Sequence, residues 1–318
     1  MRIVSLYTYF NKLILKIKTF FIPFLFCSLS TISLSSCFTQ NIAKEKQYSQ
    51  SNIISFDKSR ALNDVLYQVQ LGPRTPETKG HESIINWLSS SLIYSGWSTE
   101  IQIGEVQGYQ VKNVIGRWGS GKPLILLGAH YDTRIYADND PNPLNRNKPV
   151  PGANDGASGV AVLLELSRII PDFYSSEIHM VFFDAEDNGN IFDRDWLLGS
   201  RYYADNLTKK PDAMILIDMV GDDDLKLYME KNSDFKLTED IWEQAAALGY
   251  NNYFIPSYKY RMIDDHLPFI AKGIPAVDII DFDYPYWHTV SDTFDKISGE
   301  SLKIVGDTLL SWLLLIEN

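Results

Sequence analysis

Four runs, "KPLILLGAHYDT", "EIHMVFFDAED", "DAMILIDMVGD" and "IPAVDIIDFD", begin almost wholly apolar and end in carboxylates or a histidine. Short continuous apolar runs bounded by polar residues read as strands buried on both faces, and such strands need helices above and below them. Stretches with apolar residues at helical spacing, "ALNDVLYQVQL", "GHESIINWLSSSLIYSGW" and "VAVLLELSRII", lie between or before these runs. The Gly and prolines of "GPRTPETK" part the first two, and Pro171 stops the third. The alternation predicts α/β layering from about Phe56 onward. In open α/β sheets ligands sit outside the carboxyl ends of the strands, where loops from several strands meet. These are the positions of His130 with Asp132, Glu186 with Asp187, Asp218 with Asp222, and Asp278 with Asp281. Four acidic strand ends, together with the glycine-bracketed Asp155 of "PGANDGASG", suggest one shared metal.

The first forty residues need a separate reading. Arg2, Lys12, Lys16 and Lys18 form a positive start without an acid, and Phe20 to Leu34 is an apolar stretch too short for comfortable membrane spanning. The tetrapeptide Leu34-Ser35-Ser36-Cys37 resembles a lipobox, at which a signal segment is cut before a cysteine that takes lipid. The expected division is a lipoprotein signal peptide over residues 1–36, a polar tether over 37–55 and a catalytic domain over 56–318. The protein is then expected to be exported and anchored to a membrane of the cell envelope through Cys37. Of the two cysteines, Cys27 leaves with the signal and Cys37 is acylated, so the domain has neither a disulfide framework nor a thiol nucleophile. Removing the four basic signal residues leaves 25 Lys and Arg against 40 Asp and Glu, a net charge of −15. Nucleic acid, which requires a basic footprint, is excluded as a partner. A monomer is expected.

Catalytic zinc needs nitrogen or oxygen ligands from several elements, an open position, and a carboxylate nearby that moves a proton. Of five histidines, His130 at a strand end and His288 in the aromatic loop "YPYWHTVSDT" stand where such a site requires them. His179 in a strand interior, His81 and His266 read as structural. Glu186 and Asp187 are adjacent. At a strand end neighbours point to opposite sides, which would let one bind metal while the other serves as base. The Asp- and Asn-rich stretch "YADNDPNPLNRNKPVP" reads as a long solvated loop beside the site, with gating or calcium binding as the alternatives.

"GAHYDT", "GANDGASGVAVLLELSR", "FFDAED", "IDMVGD" and "WHT", taken in this order, resemble the zinc aminopeptidase superfamily from about Leu71 to Ser298. The resemblance implies a three-layer αβα fold around a central mixed, mostly parallel sheet. It implies metal ligands at His130, Asp155, Asp187, Asp218 and His288, with Glu186 as the base. Two activities share that ligand set. An aminopeptidase binds two zinc ions and hydrolyses the first peptide bond; a glutaminyl-peptide cyclotransferase uses one zinc to convert an N-terminal Gln to pyroglutamate and ammonia.

Several local features resemble the cyclase branch. "LGPRTPETKGHE" is similar to its opening motif, "DDHLPF" to its "DDHIPF", "DWLLGSRYYA" to its "SLYGSRH", and "YWHT" places Trp287 before His288 as in its substrate pocket. The cyclase resemblance implies zinc at Asp155, Asp187 and His288, a proton shuttle at Glu186, and a carboxylate network completed by Asp264 and Asp218. Asp278 stands where the animal cyclases carry a His, Asp187 replaces their Glu, and "GANDGASG" is nearer the peptidase form. The expected function is therefore cyclisation of peptide or protein N-termini, with aminopeptidase activity or a catalytically inactive binding lipoprotein as alternatives. If Cys37 carries lipid, Cys37→Ala should move the protein from the membrane fraction to the soluble fraction; persistence in the membrane fraction would instead mark residues 1–36 as an uncleaved anchor.

Overall fold

The computed structural model describes residues 54–170 and 174–317. The signal, Cys37 and nearly all of the tether expected from the sequence lie outside the described residues. No helix among the described residues is long and apolar enough to cross a membrane.

In chain order the elements are α1 (Lys58–Gln70), α2 (Lys79–Tyr94), β1 (Ser98–Val106), β2 (Tyr109–Trp118), β3 (Gly121–His130), α3 (Ala157–Ile169), β4 (Ser176–Phe183), α4 (Leu198–Asp205), β5 (Ala213–Asp218), β6 (Leu227–Met229), α5 (Phe235–Ala247), β7 (Phe254–Tyr258), α6 (Leu267–Ala271), β8 (Ala276–Ile280) and α7 (Gly299–Glu317). The main sheet has the order β1-β2-β4-β3-β5-β8. Strands β4, β3, β5 and β8 are parallel, whereas β1 and β2 run antiparallel at one edge. The sheet is thus mixed and mostly parallel, as expected.

Period-2 alternation sends side chains to opposite faces of the sheet, and each face has its own helices. On one face Ile125, Leu127, Ile178, Met180, Ile215 and Ile217 meet residues of α1, α2, α3, α5 and α7. On the other, Leu126, Val181, Phe183, Met214 and Leu216 meet Tyr203 of α4 and Phe269 of α6. Three layers result. The β1–β2 hairpin was not legible from apolar runs, because β1 exposes much of its length. Its turn is Gln107-Gly108, both with positive φ, 51° and 72°, which matches the hand of a two-residue hairpin turn.

Helix α3 follows the loop that carries Asp155, and α1 is bound to it by charge. Glu165, with a fully buried side chain, accepts from Arg60 Nε at 2.6 Å and Nη2 at 2.5 Å and from the Asp57 N–H at 3.0 Å. Arg168, one turn on, bonds Asp64 of α1. Asp57 in turn caps α1 by accepting from the Ser59 and Arg60 N–H groups. Glu165→Ala should cost about 2 kcal/mol, the scale for losing a buried acceptor of charged hydrogen bonds. An unchanged urea midpoint would mean that apolar packing alone holds α1.

Candidate active site

Asp155 precedes α3 yet caps nothing: the residue at the cap position is Gly156, and no side-chain cap hydrogen bond is made. Its carboxylate turns instead to two histidines. Oδ1 lies 3.0 Å from His130 Nε2, and Oδ2 lies 3.7 Å from His288 Nε2. His130 Nε2 also faces Asp218 Oδ1 at 3.1 Å, and His288 Nε2 faces Asp187 Oδ1 at 2.8 Å.

Glycines permit this approach. A Cβ on Gly156 would stand 2.4 Å from the His130 carbonyl oxygen and 2.6 Å from its Nε2. Gly152 has φ +70°, and a Cβ there would meet Thr133 at 2.2 Å. The fully buried Arg74, from the "LGPRTP" motif, donates to the carbonyls of Tyr131, Pro151 and Gly152. Burial pulls its guanidinium down to about 10, with Asp292, Asp132 and Asp155 opposing. From the far side Asp292 accepts the Asn154 and Asp155 N–H groups at 2.8 and 3.2 Å, and Tyr284 donates to Asp292 at 2.7 Å.

The acid pair departs from the sequence expectation. Strand β4 ends at Phe183, and Glu186 and Asp187 follow in a bend that includes Ala185 at φ 52°. Strand alternation therefore does not orient them. Asp132, fully buried, fixes both backbones: Oδ1 accepts the Glu186 N–H at 3.0 Å and Oδ2 the Asp187 N–H at 3.2 Å. Asp278 lies inside β8 rather than beyond it, and Asp281 accepts the N–H groups of Lys226 and Asp283, outside the cluster.

Glu186, Asp187, Asp155, Asp218, Asp264, Trp287 and His288 all line one cavity of about 310 Å³, whose apolar wall adds Trp196, Met219, Ile280 and Phe282. Trp287 stacks on His288 with centroids 3.9 Å apart, and Trp196 lies nearly parallel to the same imidazole at 6.2 Å. Trp196 belongs to the quoted "DWLLGSRYYA" stretch, but its place beside His288 is a tertiary fact. His81 bonds Asp184 at 2.8 Å, His179 bonds Glu177 and Tyr203, and His266 lies near Glu230; none lines this cavity.

So many buried carboxylates cannot all stay charged without a cation. Burial raises Glu186 and Asp264 well above the usual carboxylate range, with neighbouring acids adding to the shift. Asp187 is pushed to about 6 by burial and by Asp155. His288 reaches about 9: burial pulls it down, but Asp187, Asp138 and Asp155 lift it further. Among the described residues two groups could hold a metal ion, His130–Asp155–Asp218 and Asp155–Asp187–His288. Two imidazoles with three carboxylates suit zinc. Buried Asp155 Oδ2 and Asp187 Oδ2 have no hydrogen-bond partner, so lone pairs are available for such an ion.

The peptidase family M28 pattern matches residues 113–313. The chain is 36% identical to a Porphyromonas gingivalis glutaminyl cyclase structure, with a TM-score of 0.78 over 82% of this chain and 99% of that one. A Zn-dependent exopeptidase structure from Parabacteroides distasonis is 34% identical, with a TM-score of 0.77 over 81% and 98%. Aminopeptidase YwaD of Bacillus subtilis is 30% identical over 205 residues, 58% of this chain and 39% of the relative's own length.

Added zinc should raise the thermal midpoint of the metal-free protein by binding the folded state, with about 2.7 kcal/mol available at a hundredfold excess over Kd. Asp155→Ala should abolish most of that rise, since Asp155 belongs to both groups. An undiminished rise would remove Asp155 from the ligand set.

Proposed function

The chain belongs to peptidase family M28, on its glutaminyl-cyclase-like branch, and from this premise we propose that it converts the N-terminal Gln of peptides to pyroglutamate with release of ammonia. The observation that carries this reading is the cavity itself. A volume of about 310 Å³ walled by Trp196 and Trp287 suits one folded side chain, with Glu186 and Asp264 beside the Asp155–Asp187–His288 group.

Asp155, Asp187 and His288 would hold zinc, which when bound polarises the Gln side-chain amide. Glu186 takes the proton from the substrate's α-amine as that nitrogen attacks the side-chain amide carbon, and returns it to the departing nitrogen, which leaves as ammonia. A shuttle of this kind needs a carboxyl near neutrality in pKa, and the desolvated surroundings of Glu186 act in that direction. Asp264, on the same wall, lifts Glu186 further by its charge. Cyclisation is intramolecular, so the main requirement is to hold the bent conformer and keep out competing water. Trp287 and Trp196 supply the apolar walls for both. Anchoring through Cys37 in the cell envelope belongs to the same proposal.

Aminopeptidase activity is the second reading, favoured by the intact His130–Asp155–Asp218 group. With a zinc ion in each group, Glu186 would instead take a proton from the attacking water. The test is to incubate the zinc-loaded protein with one peptide beginning in Gln and one beginning in Leu, and to identify products by mass spectrometry. The expected result is loss of ammonia from the Gln peptide alone, absent in Glu186→Gln. Release of a free N-terminal residue would replace the cyclase reading with the aminopeptidase one, and full turnover by Glu186→Gln would sink the shuttle.

A further inference from the structure

The stretch from Tyr136 to Pro151, expected as a solvated loop with gating or calcium binding as the alternatives, is exposed over most of its length, yet part of it packs against the segment that carries His288. Asp140 is buried, and its oxygens are already taken: Oδ1 accepts from the Asn142 N–H and from Asn145 Nδ2, and Oδ2 accepts the Val290 N–H at 3.1 Å. The Asn139 N–H donates to the carbonyl of His288 at 3.2 Å. The loop therefore grips the backbone at the carbonyl of His288 and two residues beyond it, and His288 itself is held at φ 56°.

One side chain of this loop reaches the imidazole. Asp138 Oδ1 lies 3.5 Å from His288 Nδ1, on the ring edge opposite the Nε2 that faces Asp187 and Asp155. Asp138 is itself fixed by a two-pronged bond from Arg134, Nε at 2.9 Å and Nη2 at 2.6 Å. Paired prongs of this kind set direction as well as energy. Buried Arg134 also donates through Nη1 to the Asp187 carbonyl at 2.9 Å, and its guanidinium lies 4.8 Å from the Trp196 ring centre. One guanidinium thus touches the backbone of Asp187, the cavity wall stacked on His288, and the carboxylate behind His288.

We propose that Asp138, steered by Arg134, is a positioning residue for His288: it accepts the Nδ1–H and so commits Nε2 to the metal side. The inference rests on the reading of His288 as a zinc ligand. A metal-binding imidazole that donates its other N–H to a carboxylate is fixed in tautomer and orientation, and losing such a partner weakens metal binding by about 10–100-fold. The Asp138 side chain is 45% exposed, so water can replace part of the contact and the lower end of that range applies.

Asp138→Asn keeps the shape and removes the charge. Chelator competition should show zinc bound about tenfold more weakly, with Asp138→Glu recovering part of the loss. In the zinc-loaded protein the long-range proton–nitrogen spectrum should show a changed His288 Nδ1 signal in Asp138→Asn. Zinc affinity within about twofold of the parent and an unmoved Nδ1 signal would overturn the inference. So would a lowered thermal midpoint of the metal-free Asp138→Asn protein with no recovery in Asp138→Glu, which would mark Asp138 as part of the loop's own packing. His288→Ala separates the two layers. If it binds zinc as the parent does, the ligand reading falls and this inference with it; if it loses zinc while Asp138→Asn keeps it, this inference alone falls.

Discussion

A single carboxylate lies between two imidazoles, and much of the surrounding architecture serves to keep it there. Asp155 presents one oxygen to His130 and the other toward His288, so its backbone has to leave the sheet region, bend sharply, and enter a helix within a few residues. The bend cannot accommodate a side chain at Gly156. Its carbonyls would be costly to bury unpaired, and Arg74 supplies three donors to this region. Asp292 takes the N–H groups on the other side. The site is thus held by polar bonds from segments far apart in the chain.

The same logic extends outward. Asp132 does for Glu186 and Asp187 what Asp292 does for Asp155: a buried carboxylate receives two successive N–H groups and so orients the side chains that follow. Arg134 then links the Asp187 backbone to the loop behind His288. Asp155 and Asp187 are thus supported by the buried charged side chains of Asp292, Asp132 and Arg134. That arrangement is expensive in desolvation and tolerable only with near-complete pairing. Among the buried carboxylate oxygens without a hydrogen-bond partner, one each on Asp155 and Asp187 lies where a cation fits, and the others belong to Asp265 and Asp278.

Much of this was legible beforehand. Four parallel strands announced themselves as apolar runs because both of their faces are buried, and their boundaries agree closely with β3, β4, β5 and β8. The β1–β2 hairpin did not, since a strand with an exposed edge carries no continuous apolar run and leaves Gln107-Gly108 as its main signal. His130, Asp155, Asp187, Asp218, His288, Glu186, Asp264 and Trp287 were all singled out by motif and order; all but His130 line one cavity, and His130 stands behind it against Asp155 and Asp218. Arg74 and Asp292 were not singled out, and Asp132 stood out only as a strand-end acid beside His130, although each lies inside or beside a quoted motif. Their partners are 54 to 138 residues distant, and nothing local in the sequence reports a bond of that reach.

The sequence alone determined the layering and the identity of the groups able to bind a cation, because apolar periodicity and residue chemistry are local properties. Tertiary structure decided how Glu186 and Asp187 are aimed, since the strand ends at Phe183 and a bend, not strand alternation, directs them. It also decided that an Asn- and Pro-rich loop is a clamp on His288 and that Trp196 lies beside the same ring. Those outcomes depend on distances between segments remote in the chain, and such distances exist only once the sheet has brought its strand ends together.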